Sequence, residues 1–175
     1  THIHLDKSCI LDRCSAQGDL GAAIAEVAGL KAAFDAEDVA ARAARTLRKC
    51  VVNGTTRMRT HVEVDPVIGL RGFEGVKAAA RDWALAIDVE LCVFPQEGLT
   101  NCPETDAMMV QGLERGARVV GAAPGYDPDH AGQIRRVFDL AREYDVDIDM
   151  HLDFGNAPDD LDTILVCDLA KKYGY

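Results

Sequence analysis

Long apolar runs are missing from this sequence. Its longest apolar stretches are short and broken by charge, so no segment reaches the roughly 20 residues that a membrane-spanning helix needs. Basic residues are also scarce: 19 Lys and Arg stand against 29 Asp and Glu, a formal charge of −10. A phosphate-binding face must be basic, which argues against a nucleic-acid partner. The same acidity opposes docking on anionic lipid. The six cysteines (Cys9, Cys14, Cys50, Cys92, Cys102 and Cys167) show no C-x-x-C pair. Most fall within apolar helix or strand patterns, where a thiol acts as a small hydrophobe. Reduced thiols in a cytoplasmic protein are therefore expected. Repeats, low-complexity linkers and a secretory signal are absent too. The sequence opens Thr-His-Ile-His with no methionine, and we expect residues upstream of it.

What is present is a regular alternation over 175 residues, 48% of them hydrophobic, the length and content of one ordinary domain. Residues 1–6 read as the end of a first strand, followed by an Ala-rich helix over 19–33. Asp35 is placed to cap a second helix whose stripe is Val39, Ala43, Leu47 and Cys50, stopped by Gly54. Strands are predicted over 55–64, 87–95, 118–124 and 146–152. Helices are predicted over 70–84, 104–115, 129–144 and 158–172, the last stopped by Gly174. Strands separated by helices imply parallel βαβ units with right-handed crossovers. Both an open doubly wound sheet and a (β/α)8 barrel satisfy that order. No Gly-rich dinucleotide loop follows the first strand, which removes the best support for the open sheet. A full barrel takes roughly 250 residues, so the fold class expected is an incomplete α/β TIM barrel of about the first five β/α units.

Candidate chemistry sits at strand ends. His2 and His4 are two apart, so on a strand both imidazoles point to one side, with Asp6 sharing their parity. Two neutral imidazoles make half of a site suited to zinc or ferrous iron; a lone H-x-H is weak evidence of it. In VDIDMHLDFG, Asp147, Asp149, His151 and Asp153 share one face and Val146, Ile148, Met150 and Leu152 the other. His151 is thus placed at a strand's C-terminal end, where barrel active sites gather; a core histidine is the competing reading. RTHVEV puts His61 near the end of the second strand, for substrate contact or for support of the ligands, with Arg57 and Arg59 read as structural. In FPQEG, Pro95 breaks the ladder and Gly98 frees the loop. Gln96 is left at the rim, where an amide suits a heterocyclic edge; a solvated loop is the competing account. His130 reads as a solvent-facing histidine at a helix start, and Arg135, Arg136 and Arg142 as a solvated helix face.

Taken in order, THIHLDK, RTHVEV, FPQEG, GARVVGAAP and DMHLD resemble the cytosine deaminase-like branch of the amidohydrolase superfamily across essentially the whole chain. The resemblance implies a (β/α)8 barrel with a flanking β-sandwich and hydrolysis of C–N bonds in heterocycles and amides using iron or zinc. It implies His2, His4 and His151 as metal ligands and Gln96 as the glutamine that hydrogen-bonds the substrate ring. The family's sixth-strand histidine and eighth-strand aspartate, the general base, would lie beyond Tyr175. Residues 1–175 are accordingly expected to be a partial metal-dependent hydrolase barrel without the sandwich or the later strands. Two departures matter. RVVGAAPGYD holds no bridging lysine, which implies one divalent ion, Zn2+ or Fe2+. Where cytosine deaminases carry a proton-shuttling glutamate, this chain has Phe154, which implies a substrate other than cytosine. The expectation is a cytoplasmic deaminase or deamidase acting on a small molecule, with homo-oligomers left open. The alternatives are an amide or N-alkyl hydrolase and a truncated chain with no activity of its own.

Overall fold

The structure is a computed structural model that describes residues 2–15, 18–154 and 161–175. The first residues of the helix predicted over 158–172 and Thr1 of the first strand lie outside the described residues. Five strands, β1 (His2–Ile3), β2 (Arg57–Glu63), β3 (Asp88–Phe94), β4 (Val119–Ala122) and β5 (Asp147–Met150), alternate with helices. The helices are α1 (Leu20–Leu30), α2 (Ala36–Val52), α3 (Arg71–Asp82), α4 (Pro103–Glu114), α5 (His130–Tyr144) and α6 (Asp162–Tyr173). Hydrogen-bonded neighbours follow chain order, β1-β2-β3-β4-β5, and the pairs β1–β2, β3–β4 and β4–β5 are parallel. A doubly wound sheet reverses its strand order at a switch point. Unbroken chain order is the signature of a (β/α)8 barrel wall, here five of its strands.

Two compact units divide the chain, Thr1–Leu91 and Cys92–Tyr175. In the first, the Asp35 side chain accepts from Asp38 N at the start of α2. Val39, Ala43 and Leu47 are buried on the predicted stripe. Helix α3 lies close enough to α2 that a Cβ on Gly75 would come within 2.5 Å of Ala36 O and 2.7 Å of Val39 Cβ, so only glycine permits that approach. Gly54 has φ 87°, the left-handed geometry of a helix stop.

In the second unit α5 and α6 share a core of Ile134, Phe138 and Leu169, against which Ile148 and Met150 of β5 pack. The apolar face predicted for 146–152 is therefore the helix-facing one. Strands end earlier than their sequence patterns, for a local reason. Pro95 has no N–H with which to extend β3 beyond Phe94, and Pro124 turns the chain after Ala122 into a 3-10 turn, Pro124–Tyr126. Arg136 departs from the solvated face expected of it: its guanidinium forks onto Asp106 of α4 at 2.6 and 2.9 Å. All six cysteines are free thiols. No helix among the described residues is long and apolar enough to cross a membrane.

Candidate metal centre

Parallel pairing sets the first unit's site. His2 is in register with Arg59 and Ile3 with Thr60, and Thr60 Oγ1 accepts from Leu5 N at 3.0 Å beyond the ladder's end. The alternation then brings three imidazoles together. Nε2 of His2 and Nε2 of His4 face one another at 3.2 Å. His61, fully buried, lies with its ring centroid 4.5 Å from that of His2 and 5.5 Å from that of His4. Neutral rings 3.2 Å apart can share one proton, but the spacing also suits an ion. Two Zn–N bonds of about 2.0–2.1 Å at a tetrahedral angle hold their nitrogens about 3.3 Å apart. The His2–His4 spacing is close to that of two ligands on one borderline divalent cation.

Beside the imidazoles is a buried ionic network that the sequence reading did not single out. Glu63, at the end of β2, pairs with Lys7 and, at 3.0 Å, with Lys31 Nζ. Lys31 also meets Asp65 at 2.7 Å. Asp65 in turn accepts from Val67 N and Ile68 N. Asp6 accepts from Glu63 N and Lys7 N. Burial, helped by the Glu63 charge and opposed by Lys7, pushes its carboxyl above the usual range.

Arg42 anchors the chain that leaves β1. It is 2% exposed, donates from Nη1 to the carbonyls of Asp6 and Ser8 at 2.9 Å each, reaches Asp38 from Nε at 2.9 Å and lies over the Phe34 ring. A signal for it existed: Arg42 follows Val39 of the apolar stripe by three positions, the spacing of neighbours on a helix surface.

In the second unit His151 follows β5 directly, its N–H donating to Ala122 O at 2.9 Å. Its ring stacks with Phe94, centroids 5.2 Å apart, and lies nearly parallel to half-exposed Phe154 at 6.3 Å. Gln96 is half-buried in the loop after β3 and Glu97 is exposed; Gly98, at φ 104°, closes the turn with its N–H on Pro95 O. The loop that follows is held by Asp127. Its carboxylate accepts from Leu99 N at 2.6 Å, Thr100 N at 2.9 Å and Gln133 Nε2 at 2.9 Å, and also takes the Thr100 hydroxyl. Burial alone would raise the Asp127 carboxyl; these donors outweigh it and bring it down to about 2. Neither Asp127 nor Gln133 was read from the sequence, although Gln133 shares the apolar face of α5 with Ile134 and Val137. His130 begins α5, half-exposed, with Nδ1 3.1 Å from Asp162.

No protein-family model matches the chain. Over 107 residues it is 36% identical to N-isopropylammelide isopropyl amidohydrolase of Pseudomonas sp. (strain ADP), a match covering 58% of this chain and 26% of that protein. The crystal structure of 5-methylcytosine deaminase from Klebsiella pneumoniae liganded with 5-fluorocytosine is similar with a TM-score of 0.92 and 30% identity, covering 99% of this chain and 43% of that one. N-isopropylammelide isopropylaminohydrolase from Burkholderia multivorans is similar with a TM-score of 0.80 and 26% identity, over 98% of this chain and 43% of that one. The chain thus spans about a quarter of the curated relative and under half of the solved ones. Nearly every residue follows one solved deaminase and more than half align with a curated amidohydrolase, so this chain is similar to part of an amidohydrolase-superfamily enzyme.

Proposed function

We propose that this chain supplies the metal-holding and part of the substrate-binding face of a hydrolase that cleaves a C–N bond in a small heterocycle or cyclic amide. The observation that carries the reading is the His2–His4 pair, whose Nε2 atoms are 3.2 Å apart at the end of β1, the spacing one tetrahedral ion requires. His151 is the third ligand in this proposal: it is the imidazole at the end of β5 and matches the family's fifth-strand ligand. One divalent cation, zinc or ferrous iron, would acidify a water enough to let it attack carbon at neutral pH. His61, in ring contact with both first-strand histidines, keeps their planes oriented. Gln96 offers a donor and an acceptor to the substrate's amide-like edge. The proton-accepting aspartate and the remaining barrel strands and sandwich belong, in this reading, to sequence beyond Tyr175. Six free thiols favour a reducing, cytoplasmic setting.

Phe154 favours a second reading, an amide or N-alkyl hydrolase, because phenylalanine cannot carry a proton to a ring nitrogen. The test is release of ammonia or alkylamine by the full-length protein, measured against a panel of pyrimidines, triazines and cyclic amides, before and after chelation and with zinc or ferrous iron restored. Turnover on one class, lost on chelation and regained with metal, is expected. Turnover that survives both chelation and His4→Ala would sink the reading. If the 175-residue chain is inactive where the full-length protein is active, the remaining residues are needed to complete the site.

A further inference from the structure

The second unit carries a row of rings that hydrolysis by itself does not use. Phe94 is buried beneath His151, Phe154 lies nearly parallel to His151, and Tyr126 meets Phe154 with centroids 6.1 Å apart and planes tilted by 54°. Phe94 is fully buried, whereas Phe154 and Tyr126 at the other end of the row are 54% and 37% exposed. Adjacent rings left in water forgo the gain of burial, yet the backbone under both is tightly held. Tyr126 closes the Pro124–Tyr126 turn with its N–H on Ala123 O. On one flank Ala123 N donates to Gln133 Oε1 at 2.8 Å; on the other is Asp127, with its set of donors from Leu99, Thr100, Asp129 and Gln133. Asp153, just before Phe154, sits in the left-handed region at φ 56°. Its carboxylate accepts from Asp162 N at 2.8 Å and from the Thr163 hydroxyl, which ties it to the start of α6. The Phe154 ring packs over Gly125, where an added Cβ would stand 3.7 Å from its Cδ2.

Two exposed rings on pinned backbone form a pre-organised apolar surface, which binds without an ordering cost. The spacing excludes one occupant. A flat ring inserted between two others needs about 7 Å between their centroids, twice the ordinary stacking gap, and 6.1 Å with a 54° tilt does not provide it. An alkyl group can instead lie against the surface that the two rings leave exposed.

We propose that Tyr126 and Phe154 form an apolar wall that receives an alkyl substituent on a planar heterocyclic substrate, and that Tyr126 is a specificity-determining residue. The proposal rests on the reading of His151 as part of the hydrolytic site. A methylene in a hydrophobic pocket discriminates substrates by about 10–200-fold, so a wall for three carbons has a measurable signature.

The test uses the full-length protein and two ligands, an N-isopropylamino triazine and the same triazine with a free amino group. We expect Tyr126→Ala and Phe154→Ala each to reduce the preference for the alkylated ring at least tenfold, as a ratio of kcat/KM values, while Tyr126→Phe retains it. Tyr126→Trp keeps an aromatic at the turn but adds bulk to the wall, and should shift preference toward the free-amino ring. The same ratios are read as dissociation constants on metal-free protein by calorimetry. If the wild type turns over neither ring, the hydrolytic reading falls, while the binding ratio still decides the wall. Ratios unchanged within threefold in the Ala and Trp variants would overturn the proposal.

Discussion

Each of the two units places a histidine at a strand end, but in opposite company. At the ends of β1 and β2, His2, His4 and His61 crowd together beside buried Asp6, Lys31, Glu63 and Asp65, with Arg42 binding the carbonyls of the departing chain. At the ends of β3, β4 and β5, His151 lies between Phe94 and Phe154, Phe154 meets Tyr126, and the loops after β3 and β4 are tied by one carboxylate, Asp127. A charged environment must satisfy each buried group, because an unpaired charge in the interior costs several kcal/mol. An aromatic one tolerates exposure and needs only that the backbone beneath it stay in place. The first arrangement suits holding an ion; the second suits sorting substrates.

The largest expected effect breaks the ionic side. His2→Ala or His4→Ala should abolish stable metal binding, measured as bound zinc after dialysis. The loss should exceed the roughly 10–100-fold that follows removal of a supporting group. His61→Asn should fall within that 10–100-fold range; loss as complete as in the His2 variant would make His61 a ligand. Arg42→Met leaves the carbonyls of Asp6 and Ser8 without their donor, while partly exposed Asp38 keeps Arg13. Unfolding in denaturant should show a loss of about 1–3 kcal/mol.

On the aromatic side, Gly121→Ala would put a Cβ within 2.8 Å of Phe94 Cβ and Asp149 O. Overpacking of that kind should cost about 1–3 kcal/mol, seen as a lower melting temperature. Asp127→Asn should cost about 1–3 kcal/mol at neutral pH and change the acid limb. The Asp127 carboxyl is depressed from 3.8 to about 2, so the stability it provides is full above about pH 4 and is lost as pH falls through 2. The wild-type acid transition should be steeper in that window than the variant's; superimposable curves would remove Asp127 from the account. The smallest effect is at Arg57, 72% exposed and 3.4 Å from equally exposed Asp88. Arg57→Gln should change stability by less than about 0.5 kcal/mol.

Much of this was legible in the chain itself. Asp35 caps α2 by accepting from the N–H three residues on, as a short polar side chain before an apolar stripe does. The alternation in VDIDMHLDFG put Ile148 and Met150 toward the helices and left His151 at the strand's end. Period-two and period-3.6 patterns depend only on neighbours, so they survive without tertiary information. The Lys31–Glu63–Asp65 network and the hold of Asp127 on Leu99 and Thr100 were not legible. Their partners lie 27 to 34 residues apart, and nothing in either segment advertises the other. Phe154 was visible as a departure from the family's glutamate, but its contact with Tyr126 was not, because that contact depends on how two separate loops close.

The order of elements and the face on which each strand histidine lies follow from local spacing in the sequence, and the five strand-end motifs carry the resemblance to metal-dependent hydrolases. Only the tertiary structure decided that His2 and His4 meet at the spacing of a shared ion, that Arg42 is buried, and that Tyr126 and Phe154 stand together on pinned loops. The physical reason is that a pattern chooses the side of a strand or helix, whereas packing chooses the neighbour, and site chemistry is set by neighbours.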